Sequence, residues 1–210
     1  MATDLGQPRA HFMYLASAGS QQMIGEVQIS KALINQLRSL QSWWSSRCRI
    51  HHDLKWDNIL VYPKEETGPT EVKIIDWEMA GIGDPCWDVG TLLSEFVAFW
   101  ALSIPVVGGE PYEGLAKYLI EDMQPAIRAL WESYVEAMEF DQAKARERPI
   151  KSVSFAGARL IQTAYERTQT MTHLTPHIYL LLQLSLNIME APEDAAEGLF
   201  GIPLPDGAGT

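Results

Sequence analysis

Two short segments of the chain carry oxygen-bearing side chains at a spacing that favours one kind of chemistry. Asp53 and Asn58 stand five positions apart on a polar loop that follows Ile50, and Asp76 comes directly after the apolar run 72–75. A tight loop would point Asp53 and Asn58 at one pocket. Phosphoryl transfer needs a group that accepts the proton of an attacking hydroxyl, and hard oxygen ligands for Mg²⁺. We therefore predict that Asp53 is the base and that Asn58 and Asp76 are metal ligands.

Lys55 lies two positions beyond Asp53 on the same loop. From there its ammonium group can reach a transferring phosphoryl group and offset the negative charge that develops on it. We therefore predict a catalytic role for Lys55 alongside Asp53. We also predict that Lys55, Asn58 and Asp76 together form the cofactor-binding side of the site.

The elements that must position these residues follow from hydrophobic periodicity. The runs 59–62 and 72–75 predict an antiparallel hairpin, because both are apolar or β-branched and a charged stretch containing Gly and Pro separates them. The hairpin would bring the carboxylate of Asp76 beside the loop of Asp53. Apolar residues at three- and four-residue spacing predict a helix over 29–44. Further helices are predicted over 89–102, 112–138, 143–171 and 176–189.

The predicted fold is therefore mainly α with a small β-hairpin, an α+β arrangement of one lobe between two less ordered ends. Residues 1–25 lack a clear period and are predicted to form a lead-in segment with at most a short strand. Residues 26–190 hold both loops and the helical bundle. Residues 191–210 are rich in Pro and Gly and are predicted to form an extended tail.

Composition limits the partners and the compartment. The 16 basic and 27 acidic residues give a formal charge of −11, which repels a phosphate backbone and argues against nucleic acid as a partner. The longest apolar stretches, 96–107 and 178–189, fall short of the ~20 residues that a membrane span needs. Two isolated cysteines and an N-terminus without a signal pattern predict a soluble cytoplasmic protein that does not enter a membrane.

Three motifs then carry a resemblance to known kinases. Residues 51–58, HHDLKWDN, resemble the His-x-Asp-x-x-x-x-Asn catalytic loop of protein kinases and of the aminoglycoside phosphotransferase and choline kinase group. Residues 75–78, IDWE, resemble the metal-binding segment of that group, where protein kinases have Asp-Phe-Gly. Residues 83–90, GDPCWDVG, are similar to its Gly-Asp-Pro-x-x-Asp-x-Gly/Ala run. This run follows too soon to leave room for a protein-kinase activation loop, so the small-molecule kinase branch is favoured.

The resemblance implies a protein-kinase-like fold and a phosphotransferase that uses ATP and Mg²⁺. It implies that Asp88 is a structural anchor bonded to backbone near the catalytic loop, and that His51 packs beneath that loop. His52 stands where the small-molecule kinases usually have glycine, which requires backbone there that accepts a side chain. It is either a contact to the acceptor or a passive substitution.

The expected nucleotide lobe has no counterpart in the sequence pattern. Kinases of this type hold the nucleotide under an N-terminal lobe of strands with a Gly-rich loop and a strand lysine. Few residues precede the first predicted helix, and Lys31 lies within that helix. The chain thus resembles a C-terminal lobe with the N-terminal lobe absent. Three explanations are open. A partner polypeptide or a homo-oligomer could supply the missing lobe, or the chain could be a truncated or divergent kinase with weak activity. It could also be a pseudokinase that serves as a binding module.

The leading functional hypothesis is an ATP- and Mg²⁺-dependent transfer of a phosphoryl group to a hydroxyl of a small molecule or natural-product precursor. One alternative is a truncated kinase or pseudokinase that acts as a binding subunit and needs a partner for the nucleotide lobe. Another is phosphorylation of Ser or Thr in a peptide of a natural-product tailoring pathway. The acceptor residues of such enzymes lie on variable helices, so the sequence leaves these alternatives open.

Overall fold

The structure is a computed structural model that describes residues 16–64, 68–107, 110–111, 113–138 and 145–205. Helices dominate it, and the longer ones are α1 (Ala18–Ile29), α2 (Lys31–Trp43), α3 (Pro85–Ser103), α4 (Ile120–Met138), α5 (Glu147–Thr168) and α6 (Pro176–Glu190). Three two-stranded antiparallel sheets pair β1 (Cys48–Ile50) with β4 (Gly81–Gly83), β2 (Ile59–Pro63) with β3 (Thr70–Ile74), and β5 (Val106–Val107) with β6 (Glu110–Pro111). The prediction of a mainly α fold with a small β part is confirmed.

The helix bounds follow local capping chemistry. Ser30 ends α1 and caps α2, because its side-chain oxygen accepts the N–H of Leu33 at 3.3 Å. The predicted helix over 29–44 therefore starts two residues later than expected. Asp84 caps α3 in the same way, accepting the N–H of Cys86 at 3.0 Å, and Pro85 occupies the first helical position.

The core lies where α3, α5 and α6 pack together, and Leu93, Leu160 and Leu181 of these three helices are fully buried there. A close approach of α3 to α5 depends on Gly90, since a Cβ on that residue would lie 2.6 Å from the carbonyl oxygen of Ser152. This packing fixes the first turn of α3, on which the candidate site depends. None of the helices in the described ranges has the length and apolar character needed to cross a bilayer.

The described parts of the two terminal segments, 16–25 and 191–205, contain more helical structure than the sequence predicts. Helix α1 begins at Ala18, inside the predicted lead-in of residues 1–25. Near the other end, a helical turn at Pro192–Asp194 continues into a wide turn at Ala195–Leu199 instead of an extended tail. Residues 1–15 and 206–210 lie outside the described residues, and so does the short strand predicted within the lead-in.

The physical reason for the folded tail is burial. Phe200 and Ile202 are fully buried, and this apolar area offsets the cost of ordering a Pro- and Gly-rich segment. Helix α4 also satisfies the backbone of the tail. Gln124 donates to the carbonyl of Gly198 at 2.9 Å, and Arg128 donates to that of Gly201 at 3.1 Å. The expectation of an extended tail over 191–210 is therefore wrong for residues 192–199.

Candidate active site

The polar loop is tied to the first turn of α3 by Asp88. Its carboxylate accepts the backbone N–H of His51 at 2.6 Å and that of His52 at 3.0 Å. Burial raises the pKa of Asp88 above its ordinary value, although both backbone hydrogen bonds act in the opposite direction. The ring of His51 is 1% exposed, and its Nε2 lies 2.8 Å from the carbonyl oxygen of Ile75. These contacts are those that the resemblance implies for Asp88 and His51.

His52 keeps the backbone conformation of a glycine. Its φ of 69° lies in the left-handed region, which costs an ordinary residue about 1–2 kcal/mol. Its ring stacks on Trp44, with centroids 6.4 Å apart and planes 20° apart. A Cβ on Gly83 would lie 3.0 Å from the same ring, so the ring fits between Trp44 and β4. The backbone at His52 therefore does not adopt the conformation expected for a residue with a side chain. The contacts of its ring with Trp44 and β4 favour a passive replacement of glycine over a contact to the acceptor.

Both carboxylate oxygens of Asp53 are paired with cations. Lys55 Nζ lies 2.8 Å from Oδ2, and Arg159 Nη2 lies 3.3 Å from Oδ1. The side chain of Asp53 is 22% exposed, so part of it is reachable from solvent. The hydrogen bond to Asp53 raises the pKa of Lys55 above its ordinary value, against the opposing effect of burial. Lys55 is therefore an ammonium at neutral pH.

Asn58 joins the loop to the end of the hairpin. Its Nδ2 donates to the carbonyl oxygen of Asp53 at 2.8 Å, and its own carbonyl accepts the N–H of Ile75 at 3.0 Å. The residue is 5% exposed and ends the 3₁₀ turn Trp56–Asn58. Because Nδ2 is engaged by the loop, Oδ1 is the amide atom that remains to bind a metal ion.

Asp76 holds a strained backbone and an exposed carboxylate. Its φ of 62° and ψ of 56° place a residue other than glycine in the left-handed region. Such conformations cluster at functional sites because the surrounding structure must hold them. Within the described part of the chain, no hydrogen bond or ion pair engages its side chain. Ile75, the preceding residue, is bonded to both Asn58 and His51, which places Asp76 at the edge of the loop.

The few protein oxygens at this edge suit Mg²⁺ better than they suit a metal ion that is enclosed by protein ligands. Among the described residues, no group of three or more His, Cys, Asp or Glu side chains could hold a metal ion. Asn58 and Asp76 would supply two hard oxygen ligands. Mg²⁺ usually keeps several waters and binds through one or two protein oxygens together with the phosphates of a substrate, so this sparse set suits it.

Three charged residues near the loop were missed by sequence reasoning: Glu95, Arg159 and Glu166. Glu95 accepts the N–H of Trp56 at 3.2 Å, and burial raises its pKa. Arg159 pairs with Asp53 across 106 positions of sequence. One signal was available, because Arg159 is the only charged residue in the stretch 153–164 of α5.

An apolar surface adjoins Asp76 on the hairpin and the turn that follows it. We call it the hairpin surface; Val61, Val72 and Ile74 are its exposed members on one face of the hairpin, Leu60 and Tyr62 are exposed on the other face, and Trp77 and Met79 are exposed in the turn that follows. Val61 and Val72 are cross-strand partners and are each 65% exposed. A two-stranded hairpin is marginal alone, and a contiguous exposed apolar patch usually marks a binding surface. The hairpin surface therefore has the features of a binding surface.

Comparison with known proteins agrees with this geometry. A model of the phosphotransferase enzyme family, abbreviated APH, matches residues 13–130, which is more than half of the chain and includes both loops. Acyl-CoA dehydrogenase family member 11 of Rattus norvegicus is 29% identical over 89 residues, which cover 41% of this chain and 11% of that protein. The Mus musculus protein of the same name is 30% identical over 71 residues, which cover 34% of this chain and 8% of that protein. The match thus spans about a tenth of the length of these relatives.

Proposed function

The chain belongs to the phosphotransferase enzyme family, and from that premise we propose that it transfers the γ-phosphoryl group of ATP, with Mg²⁺, to a hydroxyl group of a small molecule or natural-product precursor. Family membership supports the coarser statement, a kinase-like phosphotransferase. The observation that carries the finer one is the cluster of Asp53, Lys55 and Asn58, whose polar atoms lie within hydrogen-bond distance of one another. Asp76 follows Ile75, whose N–H bonds the carbonyl of Asn58, and among the described residues no hydrogen bond or ion pair engages its carboxylate.

Each residue has a role that its contacts support. Asp53 accepts the hydroxyl proton as the acceptor oxygen bonds to the γ-phosphorus and the bond to the leaving ADP oxygen breaks. The ammonium group of Lys55 releases the Asp53 carboxylate and binds a phosphoryl oxygen instead. Asn58 and Asp76 would hold Mg²⁺, which neutralises charge on the phosphates when bound. The proposed compartment is the cytoplasm.

A direct assay tests this proposal. The purified chain is incubated with Mg-ATP and a panel of small hydroxyl compounds, and ADP and phosphorylated products are measured by mass spectrometry. We expect a product with at least one acceptor class, and Asp53→Ala should abolish it while circular dichroism stays unchanged. Equal turnover by the wild type and the Asp53→Ala variant would remove the proposal.

A second candidate function is a binding subunit whose nucleotide site is completed by a partner polypeptide or a second copy of the chain. The exposed hairpin surface favours it, since that surface borders the predicted metal ligand Asp76 and carries an exposed apolar cross-strand pair, Val61 and Val72. Calorimetric titration of the isolated chain with Mg-ATP separates the two functions. Micromolar binding together with turnover would argue against the binding subunit, whereas the absence of both would support it.

A further inference from the structure

We propose that Arg159 is a positioning residue that fixes the Asp53 carboxylate for proton acceptance, and that Glu166 holds Arg159 in place. This inference rests on the proposed function of Asp53 as the base. It assigns a role to two residues of α5 that lie far from the sequence motifs. The contacts, burial and charge of Arg159 carry the inference.

The burial of Arg159 is the first observation. The residue is 1% exposed, and its Nε is buried without a hydrogen-bond partner among the described residues. A buried charge is expensive, and an apolar side chain of similar size often serves packing as well or better. A purely structural role therefore gives a weak account of an arginine at this position.

The contacts of the guanidinium group are the second observation. Nη1 lies 2.9 Å from Oε1 of Glu166, and Nη2 lies 3.4 Å from its Oε2, which is the two-point geometry of an arginine and a carboxylate. Nη2 also lies 3.3 Å from Oδ1 of Asp53. Gln162 in turn donates to Oε1 of Glu166 at 3.1 Å. One side of α5 thus forms a chain of contacts that ends on the predicted base.

The two oxygens of Asp53 are held very differently. Oδ1 contacts the buried Arg159, whose side chain is 1% exposed, whereas Oδ2 contacts Lys55, whose side chain is 30% exposed. The flexible ammonium group of Lys55 can move from Asp53 to a phosphoryl oxygen. The buried guanidinium group of Arg159, which Glu166 binds at two points, stays in place. Departure of Lys55 would leave Oδ2 with the longer contact from Asn58 Nδ2 at 3.4 Å, while Arg159 still holds Oδ1 and prevents rotation of the carboxylate. Oδ2 is therefore the oxygen that receives the proton of the acceptor.

The test measures ADP release from Mg-ATP with water as the acceptor. We expect Arg159→Gln to lower kcat by about 100-fold, because small misplacements of reacting groups have effects of that size. The KM for Mg-ATP should not change, since Lys55, Asn58 and Asp76 are intact. Arg159→Lys should recover part of the loss. The matched control is Arg167→Gln, an exposed arginine of the same helix, which should keep the kcat of the wild type.

Two further variants separate positioning from folding. Glu166→Gln changes a side chain that is 39% exposed and leaves Arg159 paired with Asp53, so it should lower both the melting midpoint and kcat less than Arg159→Gln does. In the Asp53→Asn background, Arg159→Gln should lower the residual rate no further, because its target is already gone. Fully additive losses, or a normal kcat in both Arg159→Gln and Glu166→Gln, would overturn this inference alone. A wild type without turnover would overturn the proposed function as well.

Discussion

The ammonium group of Lys55 lies 2.8 Å from Oδ2 of Asp53, so the open side of the predicted base carries a cation. The hydrogen bond between them raises the pKa of Lys55 and keeps it charged at neutral pH, although burial acts in the opposite direction. The pair therefore places a mobile positive charge next to the oxygen that must meet the acceptor. This relationship makes Lys55 the residue whose removal should be most informative after Asp53.

Lys55→Gln should lower kcat by about 10²–10³-fold, which is the usual effect of removing one group that stabilises charge in a transition state. Steady-state release of ADP from Mg-ATP measures it. Lys64→Gln is the matched control, since Lys64 pairs with Glu71 on the hairpin and its side chain is 62% exposed. A Lys55→Gln enzyme as fast as the control would show that Lys55 takes no part in the reaction.

Asp76→Asn should weaken the dependence on Mg²⁺ without harming the fold. Asparagine tolerates the left-handed backbone of Asp76, and the exposed carboxylate makes no hydrogen bond among the described residues that could be lost. The Mg²⁺ concentration for half-maximal nucleotide binding should rise roughly tenfold, equivalent to ~1.4 kcal/mol. Calorimetry at several Mg²⁺ concentrations measures this shift, with Asp122→Asn, the same change at an exposed position of α4, as control. The same Mg²⁺ requirement in both variants would exclude Asp76 as a ligand.

His52→Gly should be more stable than His52→Ala by about 1 kcal/mol, because both lose the ring but only alanine keeps a Cβ at the positive φ of 69°. Urea unfolding measures the difference. At Ser39, an exposed position inside α2, the order of the Gly and Ala variants should reverse, since glycine is the poorer helix former. A His52→Ala variant that is more stable than His52→Gly, which is the order expected at Ser39, would contradict the left-handed backbone of His52.

Asp84→Asn should reduce the free energy of unfolding by about 3 kcal/mol, because it leaves the ammonium of Lys151 buried without its charged partner. Lys151 Nζ lies 2.6 Å from Oδ2 of Asp84, and their side chains are 8% and 1% exposed. Ser45 donates to the same oxygen from its backbone at 2.9 Å and from its hydroxyl at 2.8 Å. Asp57→Asn, at an exposed position, should have little effect in the same urea titration.

This difference should also depend on pH. Burial alone would raise the pKa of Asp84, but the hydrogen bonds from Lys151 and Ser45 hold it below its ordinary value. A carboxyl with a lowered pKa stabilises the fold above its unfolded pKa of about 3.9, and this stabilisation is lost as the pH falls through the folded pKa. The gap between wild type and Asp84→Asn should therefore narrow below about pH 4. Comparing the two proteins removes the opposite contributions of Asp88 and Glu95, whose pKa values are raised by burial. A gap that is constant with pH would contradict the ion pair.

The sequence was sufficient for features with a strong local signal. Two apolar or β-branched runs predicted the hairpin, and the pairing of Ile59 with Ile74 and of Val61 with Val72 confirms it. Apolar periodicity predicted the helices of the bundle. The spacing of Asp53 and Asn58 predicted that they lie together, and the 2.8 Å hydrogen bond between Asn58 Nδ2 and the carbonyl of Asp53 agrees with this. The catalytic and metal-binding roles of Asp53, Lys55, Asn58 and Asp76 remain predictions.

What the sequence missed depends on long-range or weakly patterned contacts. Strands β1 and β4 have three residues each, too few to show a period, and Gly81 and Gly83 are not strand formers. Helix α1 buries small and polar residues such as Gly19 and Ser20, so its apolar face is weak in the sequence. The contact of Arg159 with Asp53 joins residues 106 positions apart, and no local rule links them.

The most direct test of the central claim compares Asp53→Asn with Asp57→Asn, the same change four positions along the same loop. Single-turnover formation of ADP from Mg-ATP is measured for both, together with the Kd for Mg-ATP. We expect Asp53→Asn to bind Mg-ATP like the wild type and to form ADP about 10³-fold more slowly, whereas Asp57→Asn, whose side chain is exposed, should form ADP at the rate of the wild type. Equal rates for the two variants would contradict a phosphoryl-transfer centre built on Asp53.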